Sequence, residues 1–232
     1  MIDSLDLRAL VGDEAPLSRR PSLAEEAADS LREMILLEKL PPGMALPERD
    51  LSEILGISRT PLREAIRLLE IEGLVEYSAT RRPRVADPSL EELTHCLMVQ
   101  GALEGLAGRQ ACLHASDADL AEIAALNREM TEIPEEADPL HAFRLDMAFH
   151  CAIVKAAGNP PLIETHRQYN ARLWRARFVS SKWRLGREKK RSNHREIVDA
   201  LLARDQAGAE AALRGHLAVD AVAHYTAAIQ AR

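Results

Sequence analysis

The segment from Leu55 to Glu76 constrains the fold more than any other part of this chain. Gly56 supplies the tight turn that a short junction between two helices needs. Ser58 and Thr60 are good N-cap residues, and Pro61 fits the first turn of the following helix, where its missing N–H matters least. Apolar side chains then recur at helical spacing and form an inward face: Leu62, Ile66 and Leu69. The segment predicts the second half of a helix-turn-helix that leads into a short strand.

A second stripe on the same predicted helix carries an arginine at every fourth position: Arg59, Arg63 and Arg67. Arginine can fork onto O6 and N7 of guanine in the major groove, and also onto phosphates. Such a stripe is more often a solvated helix face. Here, however, one face of the helix is apolar, and a different face carries arginines from the helix N-terminus onward, as in a recognition helix. The pattern therefore predicts DNA binding.

The flanking segments complete a winged helix-turn-helix. A short helix is predicted over 46–54, and an earlier helix over 23–37 is stopped by the turn residues at 41–43. Downstream, the β-prone residues 73–77 and the basic tip at 81–84 have the order of a two-stranded wing. Three helices followed by a wing define this class of DNA-binding domain.

Composition and charge limit how the chain can bind DNA. Hydrophobic residues make up 47% of the 232 positions, which excludes a disordered chain, and only 3% are aromatic, which favours Leu- and Ala-rich helices. The net charge is −6, and residues 1–88 carry 12 basic and 17 acidic side chains. DNA binding must therefore depend on the local placement of arginines.

Cysteine usage and apolar run lengths favour a cytoplasmic protein. The three cysteines form no CxxC pair and leave an odd number, which suits a reducing compartment. The N-terminus has no signal-peptide pattern, and no apolar run reaches the roughly 18 residues of a membrane span. We expect no membrane association, and we expect residues 1–21 to form a mobile tail.

The second half of the chain predicts a mainly α protein with an antiparallel all-α bundle. Ser89, the last residue of a hinge at 87–89, forms a capping box with Glu92, so a helix should start there. Six helices are expected, approximately over 90–114, 117–132, 139–157, 161–180, 187–203 and 206–230. The predicted organisation is a tail (1–21), a winged helix-turn-helix domain (22–86), the hinge and an all-α domain (90–232).

Four polar residues in the predicted bundle lie on core-facing stripes. Asp146 and His150 are four residues apart and project from one face, and His194 and His216 lie on later apolar stripes. Left unpaired in a core, these groups would be costly, and a divalent metal offers them a common partner. On periodicity alone, a hydrogen-bonded polar core is an equally good interpretation. The other histidines, including His166, show no such grouping.

Residues 23–86 resemble the DNA-binding domain of GntR-superfamily regulators. The resemblance rests on Pro42-Gly43, on residues 48–51 and 55–65, and on Glu72-Gly73-Leu74-Val75. It implies that Arg49, Arg59, Thr60 and Arg63 contact operator DNA, and Ser58 belongs to the same helix start. Where the family usually has a glycine near the wing tip, this chain has Arg81 and Arg82, which we expect to hold phosphates.

The bundle resembles the FCD effector-binding domain of the FadR/VanR-like members of that superfamily. The matching segments are 102–104, 146–150, 156–160, 194–197 and 209–217. In metal-containing members an aspartate and three histidines hold a divalent cation, and they correspond here to Asp146, His150, His194 and His216. Zinc is the favoured ion, with nickel or manganese as alternatives. The resemblance implies a homodimeric, ligand-responsive regulator of transcription, most often a repressor.

The resemblance also implies a small effector, commonly a carboxylic acid bound at the metal. Members often carry an arginine where this chain has Gln100, so the partner of the carboxylate is open. Asn170 and Arg172 on the fourth bundle helix are the substitute candidates.

Other functions remain open at this point. The metal could itself be the sensed signal, or it could be a structural staple. A metallohydrolase is a remote alternative, because no HExxH motif occurs and catalysis would not explain residues 23–86. The basic stretch 172–195 could be a second nucleic-acid surface, although a solvated helix face is the more common role of such a run.

Overall fold

A computed structural model describes residues 21–134, 137–185 and 193–218 of the protein. The predicted N-terminal tail, apart from residue 21, lies outside these residues. The N-terminal half contains three helices and a two-stranded sheet: α1 (Leu23–Leu36), α2 (Glu48–Leu55), α3 (Arg59–Ile71), β1 (Val75–Tyr77) and β2 (Pro83–Val85). The predicted winged helix-turn-helix is therefore confirmed.

Helix α1 begins and ends for local reasons. Ser22 and Glu25 form a reciprocal capping box at its N-terminus. The helix ends one residue earlier than predicted, and Glu38 follows with a φ of 59°. Its inward face meets those of α2 and α3 in one core, whose fully buried members include Leu31, Ile35, Leu62, Ile66 and Leu69.

The turn between α2 and α3 follows the sequence prediction closely. Gly56 ends α2 in the left-handed region, with a φ of 66°, where a side chain would be strained. Ser58 occupies the N-cap position of α3, but its side chain makes no capping hydrogen bond. Thr60 is the second residue of the helix, so the interpretation of Thr60 as an N-cap was wrong.

The wing is a short antiparallel hairpin. Val75 pairs with Val85, and Tyr77 pairs with Pro83. At the tip, the Arg81 N–H donates to the Ser78 carbonyl oxygen at 2.8 Å, and Arg81 has a φ of 56°. This is the left-handed conformation that glycine adopts most easily, so an arginine occupies it here at some conformational cost.

The regular elements of the described C-terminal half are all helices: α4 (Leu90–His114), α5 (Asp117–Glu132), α6 (Pro139–Ala156), α7 (Pro160–Leu185), α8 (Asn193–Leu202) and α9 (Gln206–Ala218). The predicted capping box at the start of α4 is present. Helix α7 continues past the predicted end at residue 180. The predicted start of the fifth helix at 187 and the predicted end of the last helix at 230 lie outside the described residues.

Helices α4 and α9 pack at close range. A Cβ atom on Gly108 would clash with the Leu213 side chain, and one on Gly105 would meet the stem of Arg214. The small residues on α4 therefore let α9 lie directly against it. The largest bundle core lies beside this contact and includes Phe149, Ile153, Ile197, Leu201 and Leu213.

The two halves of the chain contact each other through α1. Leu36 packs in a cluster with Phe143 of α6 and Phe178 of α7. Ion pairs surround this apolar contact: Arg144 with Glu33 at 2.7 Å, and Arg175 with Glu38 at 3.0 Å. Within the described ranges, no helix is long and apolar enough to cross a membrane.

Candidate metal centre and nucleic-acid interface

The structure brings the four predicted metal-binding residues together. Asp146 and His150 project from α6, His194 lies in the first turn of α8, and His216 lies in the last turn of α9. Each offers one ligand atom, and these four atoms lie within 4.8 Å of one another. The His194 Nε2 atom is 3.0 Å from Asp146 Oδ1, and His150 Nε2 is 3.8 Å from the same oxygen.

The chemistry of this donor set fits a divalent cation. Buried ring nitrogens at His150 Nε2, His194 Nε2 and His216 Nδ1 have no hydrogen bond of good geometry among the described residues. Such orphaned polar atoms are costly in a core unless they bind something. One carboxylate and three imidazoles at mutual ligand distance suit zinc, nickel or manganese.

Local electrostatics hold Asp146 and His216 in the forms that bind metal. Burial alone would raise the pKa of Asp146, but His194, His150 and Arg177 outweigh it and hold that pKa well below its usual range. Burial, together with the neighbouring His194 and His150, holds the pKa of His216 well below its usual range. An ionised carboxylate and a neutral imidazole are the ligand forms.

Glu104 on α4 is a functional candidate that the sequence reasoning missed. It is 1% exposed, and its Oε2 atom lies 2.7 Å from His150 Nδ1. The two atoms are at hydrogen-bond length but not in good hydrogen-bond geometry. A carboxylate that accepts from Nδ1 would leave Nε2 available to the cluster. Burial would raise the pKa of Glu104, but His150, His166 and Arg177 hold it well below its usual range. The available signal was a carboxylate on the inward stripe of α4, one turn after the buried Gln100.

Arg177 and His166 on α7 complete a buried polar network around Glu104. Arg177 is 4% exposed, and its Nη1 lies 3.4 Å from Glu104 Oε1, while its Nη2 lies 3.7 Å from Asp146 Oδ2. His166 Nε2 lies 3.3 Å from Glu104 Oε1. Neither residue was predicted to be functional. Their positions depend on where α7 crosses α4 and α6, which no local pattern encodes.

The three effector candidates occupy different places. Gln100 is fully buried and donates from Nε2 to Glu104 Oε1 at 3.1 Å. Asn170 accepts a hydrogen bond from Arg177 Nη1 at 2.9 Å, so it touches the network indirectly. Arg172 lies instead at the junction with the winged domain, where its stem packs at Gly73 and its guanidinium approaches the Tyr169 ring at 5.8 Å.

The predicted DNA-binding residues share one property, since all are exposed: Arg49, Ser58, Arg59, Thr60, Arg63, Arg81 and Arg82. They lie on α2, at the start of α3 and at the wing tip. Arg63 pairs with Glu48 at 2.7 Å, and Arg49 lies 3.5 Å from Glu53. Both pairs are at the surface, where ion pairs are weak and can exchange for phosphate contacts.

Together, a winged helix-turn-helix with an exposed arginine stripe and an attached helical bundle define the class of two-domain transcriptional regulators. The chain belongs to the gntR family of bacterial regulatory proteins, whose model matches residues 23–85, and carries an FCD domain matched over residues 95–219.

Related proteins support this assignment over most of the chain. The "Probable D-xylose utilization operon transcriptional repressor" of Paenarthrobacter nicotinovorans is 31% identical over 214 residues, covering 88% of this chain and 92% of that protein. The "Glc operon transcriptional activator" of Escherichia coli K12 is 30% identical over 222 residues, covering 86% and 87%. The solved structure of E. coli McbR/YncC has the same fold, with a TM-score of 0.74, 22% identity, and coverage of 90% of this chain and 99% of that one.

Proposed function

We propose that this protein is a homodimeric repressor that binds operator DNA and is controlled by a small carboxylic acid. The acid binds at a divalent metal, with zinc favoured, held by Asp146, His150, His194 and His216. The observation that carries the proposal is the convergence of four ligand atoms within 4.8 Å in the bundle of a chain whose other half is a winged helix-turn-helix. The regulator would have no catalytic role.

The N-terminal domain supplies the DNA contacts in this proposal. Arg59 and Arg63 project from the first two turns of α3, where a recognition helix contacts base edges. Ser58 and Thr60 lie at the exposed N-terminus of the same helix, where the helix dipole and free N–H groups favour phosphate. In a dimer, two such helices would read half-sites about 34 Å apart on a roughly palindromic operator.

The bundle supplies the sensor. Four protein ligands leave one or two positions open if the ion is five- or six-coordinate. The bound ion would supply a Lewis-acidic partner for a carboxylate oxygen. The chain's own residues surround this site: Glu104 places a carboxylate 2.7 Å from Nδ1 of His150, and Arg177 places a positive charge beside Asp146.

The contact between the two halves offers a route from the sensor to the DNA. Asn170, which accepts from Arg177, also lines a cavity of about 200 Å³ with Arg32 and Glu72. Arg32 holds Glu72 through two hydrogen bonds, of 3.0 and 2.8 Å, and Glu72 is the C-cap residue of the recognition helix. A shift of α7 would therefore reach the end of α3. Coupling of this kind is typically worth about 1–3 kcal/mol.

The test begins with selection of a duplex from a random library by the zinc-loaded protein. We expect a roughly palindromic sequence whose binding weakens on addition of a matching carboxylic acid and whose affinity falls steeply with salt. His194→Ala should lose the metal and the acid response while the winged domain still binds DNA. Failure to select any sequence would refute the DNA-binding proposal. A response to acid that survives in His194→Ala would refute the metal-bound effector.

One observation favours a second candidate function. The ligand set joins α6, α8 and α9, so a metal there would also cross-link three helices. In a metal-sensing regulator, chelation alone would abolish DNA binding while the protein stays folded. With a purely structural metal, chelation would melt the bundle. Measuring operator binding and circular dichroism during the same chelator titration separates these cases.

A further inference from the structure

We propose that Arg177 receives the carboxylate of the effector, and that the buried charge of this site selects an acid with a single negative charge. This inference rests on the proposed metal-bound effector site. Arg172 and Gln100 do not receive the carboxylate.

The position of Arg177 is that of a recognition residue. Its guanidinium is almost fully buried and lies beside the metal-ligand carboxylate of Asp146, at 3.7 Å from Nη2 to Oδ2. A ligand held at the four metal-binding residues would therefore lie within reach of Arg177. Guanidinium groups bind carboxylates through two parallel hydrogen bonds, which fixes orientation as well as charge.

The donors of Arg177 are held loosely by the protein's own carboxylates. Charge-assisted N–H···O bonds usually measure about 2.7–2.9 Å, whereas its separations from Glu104 and Asp146 are 3.4 and 3.7 Å. Among the described residues, its contact of ordinary hydrogen-bond length is with the neutral Asn170 side chain, at 2.9 Å. A guanidinium has five N–H donors, so this one retains capacity for an incoming carboxylate.

The formal charges of the described network set the charge of the ligand. The carboxylates of Asp146 and Glu104 and the guanidinium of Arg177 leave one net negative charge when the imidazoles are neutral. A divalent ion converts this to one net positive charge. Since an uncompensated buried charge is costly, a monocarboxylate balances the loaded site, whereas a dicarboxylate overshoots it.

Arg172 provides a matched control because it is an arginine on the same helix that lies at the wing junction. Arg177→Gln removes the charge and keeps a shorter, polar side chain, while Arg177→Lys keeps the charge and loses the fork. Arg172→Gln changes charge on α7 away from the cluster. For each protein we would measure zinc content by elemental analysis, and then the binding of acetate, lactate, malonate and succinate by calorimetry and by thermal melts.

We expect zinc-loaded wild type to bind acetate or lactate at least about tenfold more tightly than malonate or succinate, because only the monocarboxylates balance the charge. Arg177→Gln should keep its zinc and lose about tenfold or more in affinity for the monocarboxylate. Arg177→Lys should lose less, and Arg172→Gln should match wild type.

Two results would overturn the inference. One is a folded, zinc-loaded Arg177→Gln variant that binds the monocarboxylate as tightly as wild type. The other is a wild-type protein that binds the dicarboxylates equally well or better. If the zinc-loaded wild type binds none of these acids, the carboxylate effector of the proposed function fails first, and the role of Arg177 fails with it. Failure of the effector site can be told apart from failure of the Arg177 role alone, because only the former is seen in the wild-type protein.

Discussion

The winged domain and the bundle place their candidate functional residues in opposite ways. In the winged domain these residues are exposed and lie mostly in one short stretch, with Ser58, Arg59, Thr60 and Arg63 at the start of α3. In the bundle they are largely buried and come from five helices, from Glu104 on α4 to His216 on α9. A surface that binds a large partner can be encoded locally, whereas an internal pocket requires the whole domain to fold.

The largest expected effect tests the buried network. Glu104→Ala leaves Arg177 and His166 without their carboxylate in the core, so we expect a loss of about 3–5 kcal/mol in the free energy of unfolding. Glu104→Gln, which keeps a hydrogen-bond acceptor, should cost less. Chemical denaturation followed by circular dichroism provides the measurement. A change below about 1 kcal/mol for the alanine variant would show that this network is not a structural unit.

The next effect tests the exposed surface. Arg59→Ala or Arg63→Ala should each weaken operator binding by about 1–3 kcal/mol, because a base or phosphate contact is lost. The melting temperature should stay unchanged, since both side chains are exposed. Fluorescence anisotropy with the selected duplex measures this, and Arg128→Ala on α5 is the exposed-arginine control. Equal losses for Arg59→Ala and Arg128→Ala would contradict the recognition-helix assignment.

A third prediction concerns the connection between the two regions. Arg32→Ala removes the pair with Glu72 at the end of α3. We expect the variant to bind the acid and the operator as wild type does when each is added alone. The coupling free energy between acid binding and operator binding should shrink by about 1 kcal/mol. Titrating the duplex at zero and saturating acid gives this coupling free energy. An unchanged value would exclude the Arg32–Glu72 pair from the coupling route.

The smallest expected effect is a change in melting temperature, and it compares two serines that both occupy N-cap positions. The Ser116 side chain accepts from the Asp119 N–H in a capping box on α5, whereas the Ser58 side chain makes no such bond on α3. Ser116→Ala should lower the melting temperature by a few degrees. Ser58→Ala should leave melting unchanged and weaken operator binding. A stability loss on Ser58→Ala equal to that on Ser116→Ala would remove this difference between the domains.

The same capping box predicts how the stability difference between wild type and Ser116→Ala changes with pH. Hydrogen bonds from Ser116 lower the pKa of Asp119. Because the folded pKa is the lower one, the carboxylate's contribution is present above the unfolded pKa, near 3.9, and is lost as pH falls through the folded value. In melts between about pH 6 and pH 3, the gap in melting temperature between wild type and Ser116→Ala should therefore narrow as the pH falls. A gap that widens in acid would contradict this sign.

The sequence predicted most of the fold because its signals were local. Capping at Ser89, the glycine turn at Gly56 and apolar periodicity gave the helix order and most helix ends. The same periodicity identified Asp146, His150, His194 and His216 as inward-facing, and the structure brings them together, although the metal remains a prediction. Arg177 and Glu104 were missed because their contact joins helices 73 positions apart in the chain. The sequence analysis named Arg172 and did not consider Arg177, because helical spacing does not reveal which arginine faces another helix.

The arrangement of the metal-binding residues along the chain has a consequence for biosynthesis. The winged domain is complete by residue 85, whereas the ligand set closes only when α9, with His216, packs against α4. Domains generally fold in order as the chain is made. If the proposed metal site is occupied in the cell, a nascent molecule would acquire the means to hold DNA before it could load its ion, and metallation would be a late maturation step.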